Sequence, residues 1–393
     1  MNLRKIRNFL ALRPGIVASL VMAVMVGMGE KMAERFLPLY IIALGGSPII
    51  IGLLNGMDNL LSALYSFPGG YLSDKLGYKR ALLFFNLLAI FGFGIVVLVQ
   101  SQWAVIVGSV FFLSWTAISL PATMSLVSTV LPKNKHGMGV TMHSMVRRIP
   151  MALGPLIGGL FITTFGTVLG VRYAFLAAIG FAIVALIVQQ LFIAETPRSE
   201  QTSKRVRIHI PPALRHLLVS DILIRFCEQI PYAFVVIWVV QNKGLNAAQF
   251  GVLTAIEMVT AMLIYVPVAY LADRGTRKPY IAITFFNFTM FPLVLSFCGT
   301  YTAFIFAFIL RGLKEFGEPT RKAMILDLAP DNAKASTFGT YYLIRDVIVS
   351  LAAFGGAFLW QRSPQLNFYV ATAFGVLGTA YFILRVKPSP QPA

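Results

Sequence analysis

The chain has 393 residues, 57% of them hydrophobic and 12% charged, with a mean hydropathy of +0.76. That composition excludes a soluble globular domain and predicts a polytopic helical membrane protein. The formal net charge of +18 suggests nucleic-acid binding, but the charge is concentrated in short loops between apolar runs, a distribution that argues against a nucleic-acid partner and fits a membrane topology.

Taken in order, the apolar runs predict twelve spans, near 15–43, 48–72, 80–100, 103–130, 137–163, 172–193, 214–241, 247–271, 280–299, 302–328, 335–360 and 366–385. The first run follows Arg4, Lys5, Arg7 and Arg13, as a secretory signal would. It is too long for one and eleven more runs follow, so it reads as an uncleaved first span. The one sizeable hydrophilic interruption, Glu195 to Pro212, divides the chain into six-span halves, 1–193 and 214–393, joined by a cytoplasmic linker at 194–213. About 20 of the 33 Lys and Arg fall on one side of these spans, against three (Arg172, Lys243, Arg362) on the other. This positive-inside bias predicts a multi-pass protein of the plasma (inner) membrane with both termini cytoplasmic.

The loop Gly70-Tyr71-Leu72-Ser73-Asp74-Lys75-Leu76-Gly77-Tyr78-Lys79-Arg80 returns 199 residues later as Ala269-Tyr270-Leu271-Ala272-Asp273-Arg274-Gly275-Thr276-Arg277-Lys278. At the same offset Gly52 meets Gly251, Asp58 meets Glu257 and Pro68 meets Pro267; at 198, Pro121 meets Pro319, Arg147 meets Arg345 and Gly158 meets Gly356. The chain therefore reads as a tandem duplication of one membrane unit. The loop resembles the signature between helices 2 and 3 of the major facilitator superfamily, with Gly70, Asp74, Lys75, Gly77, Lys79 and Arg80 matching and Tyr78 standing where the family has arginine. The resemblance implies an all-α membrane fold of twelve helices in two pseudo-symmetric six-helix bundles, working by alternating access as a monomer. It also implies that Gly70, Asp74, Lys75, Gly77, Lys79, Arg80, Asp273 and Arg274 form a cytoplasmic gate. Helices 1, 4, 7 and 10 of that fold line the cavity, and every third helix packs outside. The third, sixth, ninth and twelfth predicted spans carry no Asp, Glu, Lys or Arg between their ends.

Ten of the fifteen acidic residues fall inside predicted spans: Glu30, Glu34, Asp58, Asp221, Glu228, Glu257, Glu315, Glu318, Asp327 and Asp346. A charge in hydrocarbon costs about 2.5–3.5 kcal/mol even on the lenient insertion scale, so these acids are expected to face one another, cations or water. Glu30 and Glu34 share a helical face beside Lys31 and Arg35. Glu34-Arg35-Phe36 echoes the Glu-x-x-Glu-Arg-Phe element of proton-coupled peptide transporters, with the upstream glutamate displaced by one. Asp221, Arg225 and Glu228 repeat the theme in the seventh span. Glu30, Glu34, Asp221 and Glu228 are thus proton-coupling candidates, although a satisfied structural network would look the same. Arg311, Lys314, Glu315, Glu318, Arg321 and Lys322 form a polar face on the tenth span. With Arg35 and Arg225, the residues Arg311, Glu315, Glu318 and Arg321 are candidates for the substrate cavity, internal ion pairing being the alternative. The resemblance implies that helix 2 packs against helix 11 and helix 5 against helix 8; equal depth in the bilayer then predicts two ion pairs between the halves, Asp58 with Arg345 and Glu257 with Arg147.

Gly154-Pro155-Leu156-Ile157-Gly158-Gly159 resembles the end of the superfamily's antiporter motif. Cys227 and Cys298 lie in spans and the four His form no cluster, so neither a metal nor a cofactor is expected. No catalytic motif or nucleotide-binding segment is present, so the chain is expected not to be an enzyme and to draw on an ion gradient. The favoured reading is a proton-coupled antiporter exporting small amphiphilic compounds, its partners being that small-molecule substrate, protons and the surrounding lipids. The alternatives are a proton symporter for an anionic or zwitterionic metabolite, and a lipid translocator.

Overall fold

The computed structural model describes residues 14–113, 115, 119, 146–193, 210–272, 276–330 and 334–386. All regular structure among them is helical. The first predicted span is α1 (Pro14–Glu34) and α2 (Leu37–Ala43); α3 (Pro48–Leu76), α4 (Tyr78–Leu98) and α5 (Gln102–Phe112) follow, then α6 (Arg148–Phe165) and α7 (Thr167–Phe192). The second half starts with α8 (Pro212–Tyr232) and α9 (Val235–Ile237), the latter continuing as a π-helical turn, Trp238–Asn242. It goes on through α10 (Ala247–Ala272), α11 (Lys278–Phe297), α12 (Tyr301–Leu313), α13 (Glu318–Asp327), α14 (Lys334–Arg362) and α15 (Pro364–Arg385).

Seven of the described helices are long and apolar enough to cross a membrane, or eight if α8 and α9, bent by 41°, count as one span. The other predicted spans are interrupted or only partly described. The first breaks at Arg35–Phe36 and the tenth at Lys314–Gly317, where charged residues accumulate, and the fourth is described as a helix only to Phe112. The ends follow local chemistry. Ser101, Thr300 and Ser363 accept hydrogen bonds from Trp103, Ala303 and Leu366 main-chain N–H groups at the starts of α5, α12 and α15. Single glycines, Gly77 (φ 80°) and Gly166 (φ 78°), join α3 to α4 and α6 to α7. A one-residue reversal between long helices needs that left-handed backbone, which other residues adopt only under strain.

The chain forms two compact units. One draws on Met1–Gly45, Leu61–Ser203 and Asn246–Gly251; the other on Gly46–Leu60, Lys204–Leu245 and Val252–Ala393. Each thus takes a short segment from the other predicted half. Within the first, α1 packs along α6 and α7, and α4 along α5 and α7; within the second, α8 packs along α14 and α15, and α11 along α12 and α15. The repeat seen in the sequence is therefore a repeat of packing. Outer faces are apolar, as with Leu98 and Leu384, about four-fifths exposed, which suits contact with lipid.

The closest helix approaches use glycines at repeat-equivalent positions. A Cβ at Gly158 of α6 would lie 1.9 Å from the Met32 carbonyl oxygen of α1, and one at Gly356 of α14 would lie 2.2 Å from that of Ile230 in α8. Small residues let helix backbones meet this closely where no hydrophobic force drives them together. Gly158→Leu and Gly356→Leu are expected to lower the unfolding midpoint of detergent-purified protein sharply or to abolish a monodisperse peak. By contrast, Gly94→Ala and Gly355→Ala, which meet nothing within 4 Å, should leave the midpoint unchanged or raise it slightly, by up to about 1 kcal/mol of stability.

Candidate functional site

In the first unit the acidic stripe sits at the end of α1. The side chain of Glu30 is 2% exposed, and Lys31 Nζ donates to its Oε1 at 2.9 Å and also to Glu34 Oε2. Glu30 Oε2 is buried with no hydrogen-bond partner among the described residues. Arg147, at the start of α6, lies within electrostatic range of Glu30, and Arg35, in the break between α1 and α2, within range of Glu34. The stripe is held by backbone contact on two sides. Gly154 and Gly158 of α6 press on Lys31 and Met32, and Gly29 faces Ala178 of α7.

The second unit contains one connected ion network. From α8, Arg225 reaches Glu228 at 2.6 Å, Glu318 at 3.5 Å and Asp221 at 4.0 Å. Lys314 donates to Glu228 at 2.8 Å and lies 3.4 Å from Glu257 of α10. Arg311 pairs with Glu257 at 3.3 Å, its guanidinium among the rings of Tyr232, Phe291 and Phe308. Arg321 of α13 is about 1% exposed and saturated: it donates to Glu318 at 2.6 and 3.1 Å and to Asp221. Tyr341 donates to Asp221 at 3.1 Å, and Arg345 of α14 reaches Asp221 at 3.4 Å and Asp346 at 2.7 Å.

The break in the tenth span makes this possible. A continuous helix would spread Arg311 to Lys322 around its surface; the interruption turns Lys314 toward Glu228 and Glu257 while Glu318 and Arg321 remain opposite Asp221 and Arg225. Two side chains of α11 satisfy backbone groups freed by the break: Thr284 accepts from the Gly317 N–H at 2.5 Å and Asn287 donates to the Leu313 carbonyl at 3.0 Å. A small cavity adjoins the network, lined by Glu228, Tyr232, Val235, Phe288, Phe291, Arg311 and Lys314.

Several expectations change in this light. Within the second unit, Glu257 lies 3.3 Å from Arg311 and 3.4 Å from Lys314, two cations that its depth in the bilayer did not suggest. Arg345, expected opposite Asp58, reaches Asp221 and Asp346; Asp58 is half-buried on α3. Arg311 and Arg321, candidates for the substrate cavity with internal ion pairing as the alternative, are each held by a carboxylate. Glu315 is half-buried in the helix break. Of the gate residues, Lys75 lies over the Tyr71 ring at 5.7 Å, Lys79 donates to the Gln190 carbonyl at 3.0 Å, Gly77 makes the turn and Arg80 is exposed. Asp273, Arg274, and the surroundings of Gly70 and of the Asp74 side chain fall outside the described residues. No His, Cys, Asp and Glu cluster among the described residues could hold a metal. The charge pattern gave no hint of the buried amides: Asn86 and Gln189, which bond to each other at 2.7 Å, and Asn55, Asn59 and Gln229. Their only sequence signal is polarity within an apolar run.

Two packing-equivalent helical units with charges buried between apolar outer faces define a multi-pass membrane transporter. The sequence profile of the Major Facilitator Superfamily matches residues 19–227 and 217–393, and the chain belongs to that superfamily. It is a transporter of small molecules and not an enzyme. It is 21% identical to an uncharacterised MFS-type transporter of Methanocaldococcus jannaschii over 89% of each chain. It is 23% identical to the class H tetracycline resistance protein of Pasteurella multocida over 79% of this chain and 80% of that one. With the multidrug resistance protein MdtG of Escherichia fergusonii it shares 25% identity over 70% of each. Among solved structures it shares the fold of the nucleoside transporter NupG (TM-score 0.77, 12% identity, 95% of this chain and 100% of that one). It shares it equally with a peptide transporter POT bound to sulfate (TM-score 0.77, 12% identity, 94% and 93%).

Removing one member of the network should cost more than the network contributes. Arg321→Met leaves Asp221 and Glu318 short of their main cation and is expected to destabilise by about 3–5 kcal/mol. Adding Asp221→Asn should recover part of that loss. Unfolding midpoints in detergent for the single and double variants test this; an unchanged midpoint for Arg321→Met would make Arg321 a group reserved for ligand.

Proposed function

We propose that the chain is a proton-coupled antiporter of the plasma (inner) membrane, both termini cytoplasmic, that exports small amphiphilic organic compounds as a monomer. One observation carries the reading: the contrast between Glu30 and Glu228, which occupy the same place in the two repeats, 198 residues apart. Both oxygens of Glu228 accept from cations, Oε2 from Arg225 and Oε1 from Lys314, which favours its charged form. Glu30 is more deeply buried, 2% exposed against 10%; Lys31 donates to its Oε1, Arg147 lies only within electrostatic range, and its Oε2 has no hydrogen-bond partner among the described residues. A carboxylate with an unused oxygen inside a membrane span is where a proton adds most readily, because protonation removes a charge that neither hydrocarbon nor a second cation stabilises.

In this reading Glu30 takes a proton from the outside, which weakens its hold on Lys31 and leaves Lys31 to Glu34. It gives the proton up to the cytoplasm when the site reopens there. Glu34 accepts the cation meanwhile, so the stripe never carries an isolated charge. Asp221 and Glu228 then hold the second unit together instead of carrying protons. Export is supported by the tetracycline-resistance and multidrug-resistance relatives. An amphiphilic cargo is supported by the small cavity, where Tyr232, Phe288 and Phe291 rings adjoin charged groups. The symporter alternative drew on the basic content of the first, fifth and tenth spans, whereas Arg311 and Arg321 of the tenth are occupied by carboxylates.

In proteoliposomes loaded with a pH-sensitive dye, efflux substrate added on one side should drive protons the opposite way. Glu30→Gln should abolish that proton movement and uphill transport while retaining downhill exchange of substrate. Glu228→Gln should instead lower the unfolding midpoint. Proton movement that survives in Glu30→Gln would sink the assignment.

A further inference from the structure

Within the second unit, three carboxamides meet where α3 passes α8. Asn55 Nδ2 donates to the Gln229 main-chain carbonyl at 3.2 Å. Asn59 Nδ2 donates both to the Asn55 carbonyl, at 2.9 Å, and to Gln229 Oε1, at 3.2 Å. That uses both hydrogens of Asn59 and leaves its Oδ1 as an acceptor, while Gln229 Nε2 keeps two hydrogens to donate. Neither atom has a hydrogen-bond partner among the described residues. Asn59 and Gln229 are half-buried, whereas Asn55, which ties the two helices together, is 5% exposed.

The geometry is fixed from behind. A Cβ at Gly52 would lie 2.5 Å from Ala357 Cβ and one at Gly56 would lie 3.1 Å from the Ser350 carbonyl, so α3 is seated against the backbone of α14. Gln229 follows Glu228 directly, and one helical step of about 100° separates the amide from the ion network. Every charged group around Glu228 is already engaged; the amide pair has a donor and an acceptor side by side, uncommitted and half-exposed inside a membrane span. Facing hydrocarbon, such a pair would lose its hydration without compensation, at roughly 1–3 kcal/mol per group. An aqueous cavity or a polar ligand relieves that cost.

We propose that Asn59 and Gln229 form a neutral hydrogen-bonding subsite for the transported compound, taking a carboxamide or hydroxyl group. Such a group offers one acceptor and one donor, the complement of Gln229 Nε2 and Asn59 Oδ1. The pair discriminates among cargoes by uncharged polar groups, which the saturated arginines of the tenth span do not. This inference rests on the export reading above.

The test uses two probes in proteoliposomes under a proton gradient: chloramphenicol, a neutral compound with a carboxamide and hydroxyls, and tetraphenylphosphonium, a cation without hydrogen-bonding groups. Asn59→Leu and Gln229→Met should each raise KM for chloramphenicol about tenfold, as the loss of a hydrogen bond to a site built for it does, and leave that for tetraphenylphosphonium unchanged. Proton-coupled transport of both probes with neither KM moved overturns the subsite and leaves the export reading standing. An equal loss for both probes also overturns it, by marking the amides as structural; so does an unsubstituted protein that moves only tetraphenylphosphonium. If the unsubstituted protein moves neither probe, the export reading falls and the subsite with it.

Discussion

The structure depends on one constraint: hydrocarbon solvates neither charge nor unpaired polar groups, so every ion within the bilayer needs a partner from the protein. Arg321 shows the constraint met in full. It is the largest wholly buried side chain among the described residues, and its guanidinium is divided between Asp221 and Glu318, which in turn bind Arg345 and Arg225. The helix break at Lys314–Gly317 and the bonds from Thr284 and Asn287 that satisfy it bring opposite charges into register. A network of this kind adds little net stability over apolar packing, but it fixes which helices can neighbour one another, since any mispairing leaves a bare charge.

Duplication preserved the scaffold and changed the charges. Gly158 on Met32 and Gly356 on Ile230 are the same junction made twice, and the breaks at Phe36 and Phe234 fall 198 residues apart. On that common frame, Gly27 stands where the second unit has Arg225, and Lys31 where it has Gln229. The fourth predicted span has no counterpart of Arg311 or Lys314, Leu113 standing at the position of Arg311. The first unit therefore has an acid, Glu30, whose second oxygen is unbonded among the described residues, and the second an ion network with an amide pair beside it. An asymmetry of this sort is what the proposed division of duties rests on, with protonation assigned to one repeat and neutral donors and acceptors to the other. The aromatic rings around Arg311 hold the cation on faces that water does not reach.

Much of this was legible from residues alone. Apolar runs located the helices to within a few residues for most spans: 214–241 against Pro212–Asn242, and 366–385 against Pro364–Arg385. The offsets of 198 and 199 identified the duplication, and the loop after Gly70 pointed to the superfamily. The helical spacing of Glu30 with Glu34, and of Asp221, Arg225 and Glu228, picked out the stripes that the fold buries. These features are local: hydropathy, period and repeat need no knowledge of which helix faces which.

Partner choice was not local. Depth in the bilayer says nothing of Arg311 and Lys314, which side-chain reach and the break in the tenth span bring to Glu257 within the second unit. Both Glu30 and Glu228 read as proton carriers because their near neighbours in the chain are alike; only packing shows that Lys314, 86 residues away, bonds Glu228, while Glu30 Oε2 has no hydrogen-bond partner among the described residues. The amides Asn55, Asn59 and Gln229 carried no periodic charge signal and became visible only when α3 and α8 met. The sequence thus determined which segments enter the membrane and which charges had to be neutralised there, because transfer energies belong to single residues and helical period. The tertiary structure alone decided which charge neutralises which, because that depends on distances between helices far apart in the chain.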